Sequence, residues 1–521
     1  MLVTSAQKLY TSCESSRSSF LDRGRDASEL TIPFVLPPES SNSSTIYPTP
    51  YQGIGARGVN NLASKLLLAL LPPNSPFFKL ELDEREASKI EDDRVLSEID
   101  YSLSKIEQAV MSEVEVGSLR EVIFEALRHL IITGNALLFV DKDGLVRVFH
   151  LDRYVVKRDP MGNILAIATK ETTSYNALPE NIRKILYEED KDEGEDLQTC
   201  DIYTAVYREG KKFKVFQEVK GIRIPESEGS YPIDKLPYIP LRYTRIDGES
   251  YGRGFVEEYI GDLKSLEALS QAIVEGSAAA SKAIFLVNPN GTTRIKDITN
   301  TPNGAVVQGN AGDVTVLQME KYNDFRVASE TIDKISARLS YAFLLNSSIQ
   351  RQAERVTAEE IRTLSQELES ALGGLYSILS SELQIPLVNL MINRMQRQKK
   401  LPAFPKNVIK PKIITGVEAL GRGNDLNKLE MFVAGAAQTV GPQALQTYLN
   451  LDAYFKRRAA SLGISIEGLI KTEEEIQAEQ QQAQQMALAQ QLGPNAINAM
   501  SQDNVARIQQ EGQEIEESES E

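Results

Sequence analysis

Two long helical segments that bracket a short, turn-rich insert restrict the possible folds of this chain more than any other feature. The residues from Gly254 to Ala283 have a helical pattern, and about thirty residues of helix reach about 45 Å. The insert, residues 284–317, is rich in Gly, Asn and Thr and carries turn signals at Pro289-Asn290-Gly291 and Pro302-Asn303-Gly304. A second helix covers roughly Asp324 to Leu345. We therefore expect two antiparallel helices that form a stalk, with the insert at its tip.

A short polar loop and a third, longer helix follow this stalk. After the loop, residues 346–356, Thr357 and Glu360 have the spacing of a capping box, which predicts the start of a helix. Apolar residues then recur at helical spacing, at Ile361, Leu364, Leu368 and Leu372. The pair Gly373-Gly374 indicates a kink or a close contact. We expect the helix to resume there and to end at Gln384, because a proline follows two residues later.

The loop carries Arg351 and Arg355 in a chain that is acidic overall. The sequence has 57 Lys+Arg and 73 Asp+Glu, which gives a formal net charge of -16. This balance argues against a protein that grips nucleic acid over its whole surface. It leaves room for one that surrounds DNA and touches it at a few points. On residue type alone, loop arginines are most often solvated, so the residues leave both interpretations open.

Composition narrows the function classes further. Apolar residues make up 41% and charged residues 25%, as in ordinary globular proteins. The chain has no run of eighteen apolar residues, and its first residues lack a basic region followed by an apolar core, so we expect neither a membrane span nor a signal peptide. The only cysteines are Cys13 and Cys200, and the only histidines are His129 and His150. This argues against a disulfide framework, a His-based triad and a Cys/His zinc site, and the histidines are expected to be structural. The absence of a P-loop motif argues against a P-loop ATPase.

The first 250 residues have the pattern of a mixed α/β region. Thr49 as N-cap and Pro50 at the first helical position predict a helix that ends at Pro72-Pro73. Three glycines lie on its first turns, and we expect them to permit close backbone packing: Gly53, Gly55 and Gly58.

Further elements are expected downstream of that helix. A second helix covers Leu119 to Ile132 and is ended by Gly134-Asn135. Two apolar strands flank the turn that contains Gly144, which predicts a hairpin. Two more strands are expected near Asp201 to Tyr207 and Phe213 to Val219.

Three polar segments could carry chemistry, and each also has an ordinary structural interpretation. The glycine-rich stretch 247–254 lacks the lysine of a phosphate cradle, so we interpret it as a helix entry with Asp247 or Ser250 as cap. Four acidic residues near it are expected to form a solvated or channel-facing stripe rather than a metal site: Glu257, Glu258, Asp262 and Glu267. The densest basic patch, Asn393 to Leu401, is either a helix end stabilised by cations or a contact with DNA or an acidic partner.

Several long stretches of the sequence resemble a known family. These are "YQGIGARGVNNLASKLLLALLPP", "RIDGESYGRGFVEEYIGDLKSLE", "LVNPNG", "ERVTAEEIR" and "ALGRGNDL". In order along the chain, from about Arg17 to about Ile470, they resemble the head-to-tail connector, or portal protein, of short-tailed double-stranded DNA phages. The resemblance is least extensive at the extreme N-terminus and after Lys471.

The resemblance implies an α+β, mostly helical portal-protein fold with an α/β wing, a two-helix stem, a small β clip and a helical C-terminal crown. It places the parts as follows: wing, 1–253; first stem helix, 254–283; clip, 284–320; second stem helix, 321–345; tunnel loop, 346–356; long wing helix and a following strand region, 357–424; crown with an acidic, disordered tail, 425–521.

The same resemblance implies sites for these parts. It places Gln350, Arg351 and Arg355 in the tunnel loop, where a ring of copies would surround a duplex with guanidinium groups. Close packing of the stem is assigned to a run of small residues: Gly276, Ser277, Ala278, Ala279 and Ala280. The clip would contain Asn288, Asn290, Arg294 and Lys296. No catalytic residue, metal or cofactor is implied.

The function implied by the resemblance is a dodecameric ring at one capsid vertex that conducts DNA during packaging and ejection. Its expected partners are further copies of itself, double-stranded DNA, the terminase large subunit, major capsid and scaffolding proteins, a tail adaptor and internal core proteins, with no membrane. It would be found in the host cytoplasm during assembly and then in the virion. Two rivals remain open: a tail adaptor or other structural ring that never contacts the packaging motor, and a soluble metabolic or nucleic-acid enzyme.

Overall fold

A computed structural model describes residues 3–345, 374–402, 408–413 and 421–441 with short gaps, together with a few isolated positions up to residue 483. The gaps inside the first range are 40, 43, 73–75, 84, 86–87, 90–92, 117–118, 184–198, 281–283, 295, 297–301, 303–305, 307 and 318–321.

The described residues contain groups of helices and groups of strands. The helices are α1 Ala6–Glu29, α2 Ile54–Leu70, α3 Asp93–Val116, α4 Leu119–Thr133, α5 Phe255–Glu258, α6 Ile260–Ala280, α7 Tyr322–Ala342, α8 Leu375–Leu379, α9 Ile385–Arg397 and α10 Gly421–Val440. The strands are β1 Phe78–Leu82, β2 Asn135–Val140, β3 Val146–Phe149, β4 Tyr154–Arg158, β5 Ile164–Ser174, β6 Thr199–Glu209, β7 Lys212–Val219, β8 Ile222–Arg223, β9 Gly229–Pro232, β10 Tyr238–Arg242, β11 Ile284–Val287, β12 Val314–Leu317 and β13 Ile409–Ile413. The chain is thus a mixture of helices and several small sheets.

The largest sheet is antiparallel, in the order β4-β5-β6-β7-β8, and β9 also pairs with β7. A second sheet has the order β10-β2-β3, and two pairs stand apart, β1 with β13 and β11 with β12. The predicted hairpin is confirmed, because β2 pairs with β3 across a turn in which Gly144 has φ +84°. The strands predicted near 201–207 and 213–219 are confirmed as β6 and β7. The predicted helix before Gly134 is confirmed as α4, and Gly134 takes φ +78° just after it.

Helix α1, which the sequence patterns did not predict, packs against the large sheet through its buried apolar residues. Its first turn is capped twice. The Ser5 side chain accepts a hydrogen bond from the Lys8 amide at 3.3 Å. The buried Glu218 carboxylate of β7 accepts from the Ser5 hydroxyl at 2.7 Å and from the Ala6 amide at 2.6 Å. A carboxylate at a helix N-terminus is stabilised by the orphan amides and the helix dipole, so this contact fixes α1 to the sheet.

Arg17 fixes the middle of α1 to the chain that precedes β4. Its buried Nη1 donates to the carbonyl oxygens of Leu151, Asp152 and Tyr154, at 3.1, 2.8 and 2.9 Å, and to the Tyr10 hydroxyl at 2.8 Å. Buried carbonyls need partners, and charge-assisted hydrogen bonds are stronger than neutral ones. The arginine therefore acts as a structural crosslink.

Helix α2 begins later than the sequence predicts. The predicted start at Thr49 and Pro50 is wrong: Gly53 is the N-cap and Ile54 the first helical residue. The preceding amides have other partners, because the Glu267 carboxylate of α6 accepts from the amides of Tyr51 and Gln52 at 2.9 and 3.2 Å. The Gln52 side chain then accepts from the Gly55 amide at 2.8 Å, as a helix cap does.

Two of the three glycines on α2 do permit close packing. A Cβ at Gly55 would lie 2.5 Å from the Leu30 carbonyl oxygen, and one at Gly58 would lie 2.5 Å from the Phe343 ring. Gly53 has nothing within 4 Å of that position, so the prediction is wrong for this glycine. The main hydrophobic core lies around α2 and α4.

The segment that leads into α5 differs from its prediction. The N-cap of α5 is Gly254, which offers no side chain, so the prediction of Asp247 or Ser250 as cap is wrong. The Ser250 hydroxyl instead accepts from the Arg158 amide at 3.3 Å. The helical stretch is also divided, because α5 ends before Tyr259 and α6 begins at Ile260.

The helix that was predicted to end at Gln384 continues to Arg397. Between α8 and α9, residues Ser380–Gln384 form a π-helical turn, in which the Ile385 amide donates to the Ser380 carbonyl. Pro386 then occupies the first turn of α9. Proline has no amide to donate and crowds the preceding turn, and a π-helical turn relieves that conflict without ending the helix. The wider turn also presents Glu382 to β10, where it pairs with Arg242.

Residues 1–424 and 425–521 form two compact units. In the second, α10 supplies Glu430, whose carboxylate pairs with Arg458 at 2.9 Å. Among the described residues, every helix is too short or too polar to span a bilayer.

Candidate functional site

The two helices on either side of the β insert run antiparallel. Near the start of α6 and the end of α7, which we call the base of the helix pair, Arg338 of α7 donates two hydrogen bonds to Asp262 of α6, at 2.7 and 2.5 Å. Near the other end, a Cβ at Gly276 would lie 2.8 Å from the Phe325 ring of α7. Contacts therefore move forward along α6 while they move backward along α7. The 21 residues of α6 reach about 31 Å.

The run of small residues on α6 divides between two environments. Gly276 is half-buried against the Phe325 ring, and the two can lie this close because glycine has no side chain. Ser277, Ala278 and Ala279 are exposed, and Ala280 is the last residue of the helix. Gly276 therefore serves packing inside the helix pair, while Ser277, Ala278 and Ala279 place small side chains at the surface of α6.

The base of the helix pair is closed by an aromatic cluster. Phe343, just after α7, is fully buried and contacts Phe255 edge to face with 5.4 Å between ring centroids. Tyr259, at the break between α5 and α6, lies 5.0 Å from Phe255 and 6.2 Å from Phe343. The Phe343 ring rests on Gly58 of α2. This cluster joins α2, α5 and α7, so the direction in which the helix pair leaves the body is fixed by packing.

Side chains from α2 also hold the chain where it leaves α7. The Asn61 amide donates to the Phe343 and Leu344 carbonyls at 3.0 and 3.1 Å, and the buried Lys65 ammonium donates to the Leu344 carbonyl at 2.9 Å. Carbonyls at a helix C-terminus lack helical partners and favour a cation. Leu344 itself has φ +54°, a left-handed conformation at which the chain turns. Sequence reasoning missed Asn61 and Lys65, because they belong to a helix nearly three hundred residues earlier.

The predicted tunnel-loop residues Gln350, Arg351 and Arg355 lie outside the described residues, as does the capping box at Thr357 and Glu360. Their roles stay predictions. The described chain shows where this loop begins, since Leu345 directly follows the carbonyls held by Asn61 and Lys65.

The insert between α6 and α7 contains the hairpin β11–β12 and a loop organised by one carboxylate. Asp313 accepts hydrogen bonds from the amides of Thr292 and Thr293, at 2.8 and 3.1 Å, and from both their hydroxyls. The Asn288 side chain accepts from the Asn290 amide at 3.1 Å, which forms an Asx turn. Of the predicted clip residues, Asn288 and Asn290 thus shape the turn. Arg294 and Lys296 are exposed cations on the same loop.

The four acidic residues near α5 and α6 do not form one stripe. Glu257 pairs with Arg253 at 3.0 Å, Asp262 with Arg338, and Glu267 with the amides before α2. Burial and the neighbouring Glu257 raise the pKa of Glu258. The expectation of a solvated or channel-facing stripe is therefore wrong for Glu267, which joins two elements. Among the described residues, no group of three or more His, Cys, Asp or Glu could hold a metal ion.

His129 and His150 lie together, with stacked rings 6.1 Å apart. His150 contacts the Asp152 carboxylate through Nδ1. Burial, with the charges of His150 and Arg128, lowers the pKa of His129 to about 3. A buried, neutral histidine whose ring stacks on His150 agrees with the predicted structural role.

The basic patch 393–401 is partly a helix end. Arg394 and Arg397 lie in the last turn of α9. Arg394 and Lys400 both pair with Glu113 of α3, at 3.3 and 2.8 Å, and these bonds lower the pKa of Glu113. Arg397 is exposed and forms no ion pair with a described residue. The patch therefore combines structural cations with others that remain available.

Comparison with known proteins gives a consistent picture. The family described as "Bacteriophage head to tail connecting protein" matches residues 3–470. The portal protein of Escherichia phage T7 is 42% identical over 492 residues, which cover 93% of this chain and 91% of that protein. The portal protein of Enterobacteria phage T3 is 44% identical over 480 residues, which cover 91% of this chain and 89% of that protein.

A search of solved structures found a chain from the "Virion of native gene transfer agent (GTA) particle" with a TM-score of 0.34 and 12% identity, covering 73% of this chain and 86% of that one. A likeness at this level says little about the details of the fold. The family assignment rests on the family match and the sequence relatives.

Proposed function

Because this chain belongs to the family of bacteriophage head to tail connecting proteins, we propose that twelve copies form a ring at one capsid vertex. DNA enters the capsid through this ring during packaging and leaves through it at ejection. The observation that supports this most directly is the pair of antiparallel helices α6 and α7, which leaves the body at a packed base and carries a small β insert between its helices. Repeated around an axis, such pairs suit the wall of a channel.

Ring closure requires a heterologous contact in which one face of a copy meets a different face of the next. In this proposal the exposed small residues Ser277, Ala278 and Ala279 allow a neighbouring stem to approach closely, while Gly276 serves the packing of α6 on α7 within each copy. Ala280 belongs to the same run of small residues in the sequence. The wing is residues 1–253, the stem α6 and α7 with their flanking residues, and the crown the unit from residue 425.

The loop 346–356 is proposed to point into the channel. Each copy offers Arg351 and Arg355, with Gln350 beside them, so the ring surrounds the duplex with guanidinium groups. The chain enters this loop from a fixed point, because Asn61 and Lys65 hold the carbonyls of Phe343 and Leu344. A few phosphate contacts position a duplex, whereas uniform basicity would hold it in place through counterion release.

The clip, residues 284–320, is proposed as the docking site for the terminase large subunit and later for the tail adaptor. Its ordered turn around Asp313 presents Arg294 and Lys296 to solvent on a rigid support. The energy for packaging would come from the docked motor, and we propose no enzymatic activity for this chain. Capsid, scaffolding and internal core proteins complete the set of proposed partners in the virion.

DNA packaging by particles that carry variant protein tests this proposal. Arg351→Ala with Arg355→Ala should leave ring assembly intact and reduce the DNA packaged or retained. Deletion of residues 284–317 should abolish motor docking while rings still form. Normal packaging and retention by the first variant would show that the arginines are not the DNA contact. Normal packaging by the deletion would favour a structural ring that does not contact the motor.

A further inference from the structure

A groove of about 390 Å³ opens where three parts of the body meet. One wall is the end of β2 and the turn after it, and a second is the surface of β7 and β9 with the following segment. The third wall is the C-terminal half of α9. We call this the basic groove, and its rim and floor have different chemistry.

The rim of the basic groove has more positive than negative side chains. Its cations are Lys142, Lys235, Arg394 and Arg397, and its acids are Asp141 and Glu226. Arg394 is already paired, with Glu113 of α3 at 3.3 Å. No described carboxylate forms an ion pair with Lys142, Lys235 or Arg397. These three come from three separate elements and lie at one opening, so the opening attracts anions.

The floor is neutral, ordered and partly aromatic. Tyr238 and Phe139 lie side by side on neighbouring strands, with 4.7 Å between ring centroids. Thr204 is 1% exposed, and its hydroxyl accepts a hydrogen bond from Nε2 of the Gln217 side chain at 3.2 Å. Tyr231 completes the aromatic part of the lining. A floor built on paired strands keeps its shape when a ligand binds.

We propose that the basic groove binds a short acidic peptide segment of a partner protein. Carboxylates of the segment pair with Lys142, Lys235 and Arg397 at the rim, and an apolar side chain between them contacts the rings of the floor. Arginine can donate two parallel hydrogen bonds to one carboxylate, which gives the contact a defined geometry. The groove is near the lower end of the size of ligand pockets, about 300 to 1,000 Å³. It admits a few residues of a peptide but excludes a rigid DNA duplex.

The test measures binding of a fluorescein-labelled peptide, Glu-Glu-Leu-Glu-Glu, to the full-length protein by fluorescence anisotropy. We expect binding that weakens as salt is raised and that falls roughly fivefold or more in the variant Lys235→Gln/Arg397→Gln, because two rim charges are removed. The matched control, Lys211→Gln/Lys212→Gln, removes two exposed charges at the start of β7 that do not line the groove, and it should bind as wild type does. Circular dichroism checks that all variants are folded.

Other outcomes would overturn the proposal. These are no binding of the labelled peptide, equal binding of Gln-Gln-Leu-Gln-Gln, an equal loss in the control variant, and equally good displacement by a twelve-base-pair duplex. The last would identify a general polyanion surface. Because ring formation and DNA retention are measured separately, failure here leaves the proposed channel function unaffected, and the reverse also holds.

Discussion

The buried ion pair between Arg242 of β10 and Glu382 of the π-helical turn offers the sharpest test of how the body is held together. The side chains of Arg242 and Glu382 are 2% and 16% exposed. Glu382 accepts from Arg242 Nε at 3.0 Å and from the Arg242 amide at 3.1 Å, and Nη2 makes a further short contact. Removing one member of such a pair leaves a buried charge unpaired, which typically costs about 3 to 5 kcal/mol. Glu382→Ala should therefore lower the free energy of unfolding by about that amount.

Replacing both residues distinguishes this account from simple loss of packing. Arg242→Met with Glu382→Leu removes both charges and keeps most of the volume, so it should recover much of the loss, with a coupling energy of about 2 kcal/mol or more between the sites. The cycle compares the wild type, Arg242→Met, Glu382→Leu and the double variant, with Glu382→Ala measured beside them. All are followed by circular dichroism during urea unfolding at one protein concentration, since assembly would otherwise shift the apparent stability. Additive effects, or a cost below about 1 kcal/mol for Glu382→Ala, would refute the reasoning.

Three further predictions follow from particular residues. Gly134→Ala should lower the free energy of unfolding by about 3 kcal/mol or more, because φ is +78° and a Cβ would lie 2.4 Å from the Arg253 backbone. Gly210→Ala should lower it by about 1 kcal/mol, because φ is +60° but nothing lies within 4 Å. Equal losses in thermal unfolding would contradict the packing argument. His129 binds a proton less readily in the folded protein, so the free energy of unfolding should fall as pH drops below about 6.5, by about 2 kcal/mol at pH 5. His129→Gln should remove that part of the pH dependence. The same slope of unfolding free energy against pH in wild type and variant would contradict this prediction. Arg338→Ala should cost only about 0.5 kcal/mol of monomer stability, since the Arg338 side chain is 61% exposed. A cost above about 2 kcal/mol in urea unfolding would show that the pair with Asp262 is more than a surface contact.

Much of the local structure could be predicted from the sequence, because it depends on neighbours in the chain. The hairpin at Gly144 and the helix that ends at Gly134 follow from short-range turn chemistry and apolar periodicity. Strands β6 and β7 have runs of β-branched and aromatic residues bounded by turn residues. The order of helix, insert and helix in residues 254–345 follows from the helical pattern and the turn signals of the insert.

Other features depend on distant residues and could not be predicted. Helix α1 lacks a clear apolar stripe, because its inward face includes Arg17, Gly24 and Ser28. The partners of Arg17 are carbonyls more than a hundred residues away, so the sequence does not show that this face is buried. The late start of α2 depends on Glu267, more than two hundred residues away. The continuation past Pro386 depends on a π-helical turn whose Glu382 is held by Arg242. In each case a contact between residues distant in the sequence decides the structure, so local sequence preferences alone do not predict it.

Some contacts of the candidate site could likewise be predicted from the sequence, and others could not. The sequence indicated Gly276 as a packing residue and Gly58 as a close contact, but not that Gly58 receives the Phe343 ring. Nor could it indicate that Asn61 and Lys65 hold the end of α7, since only folding brings α2 to that point.

Electron microscopy of the purified protein tests the central claim most directly. Copies of this chain should assemble into annular particles with twelvefold symmetry and a central hole wide enough for a DNA duplex. A protein that remains monomeric under all assembly conditions, or that forms only closed particles without a hole, would contradict the account.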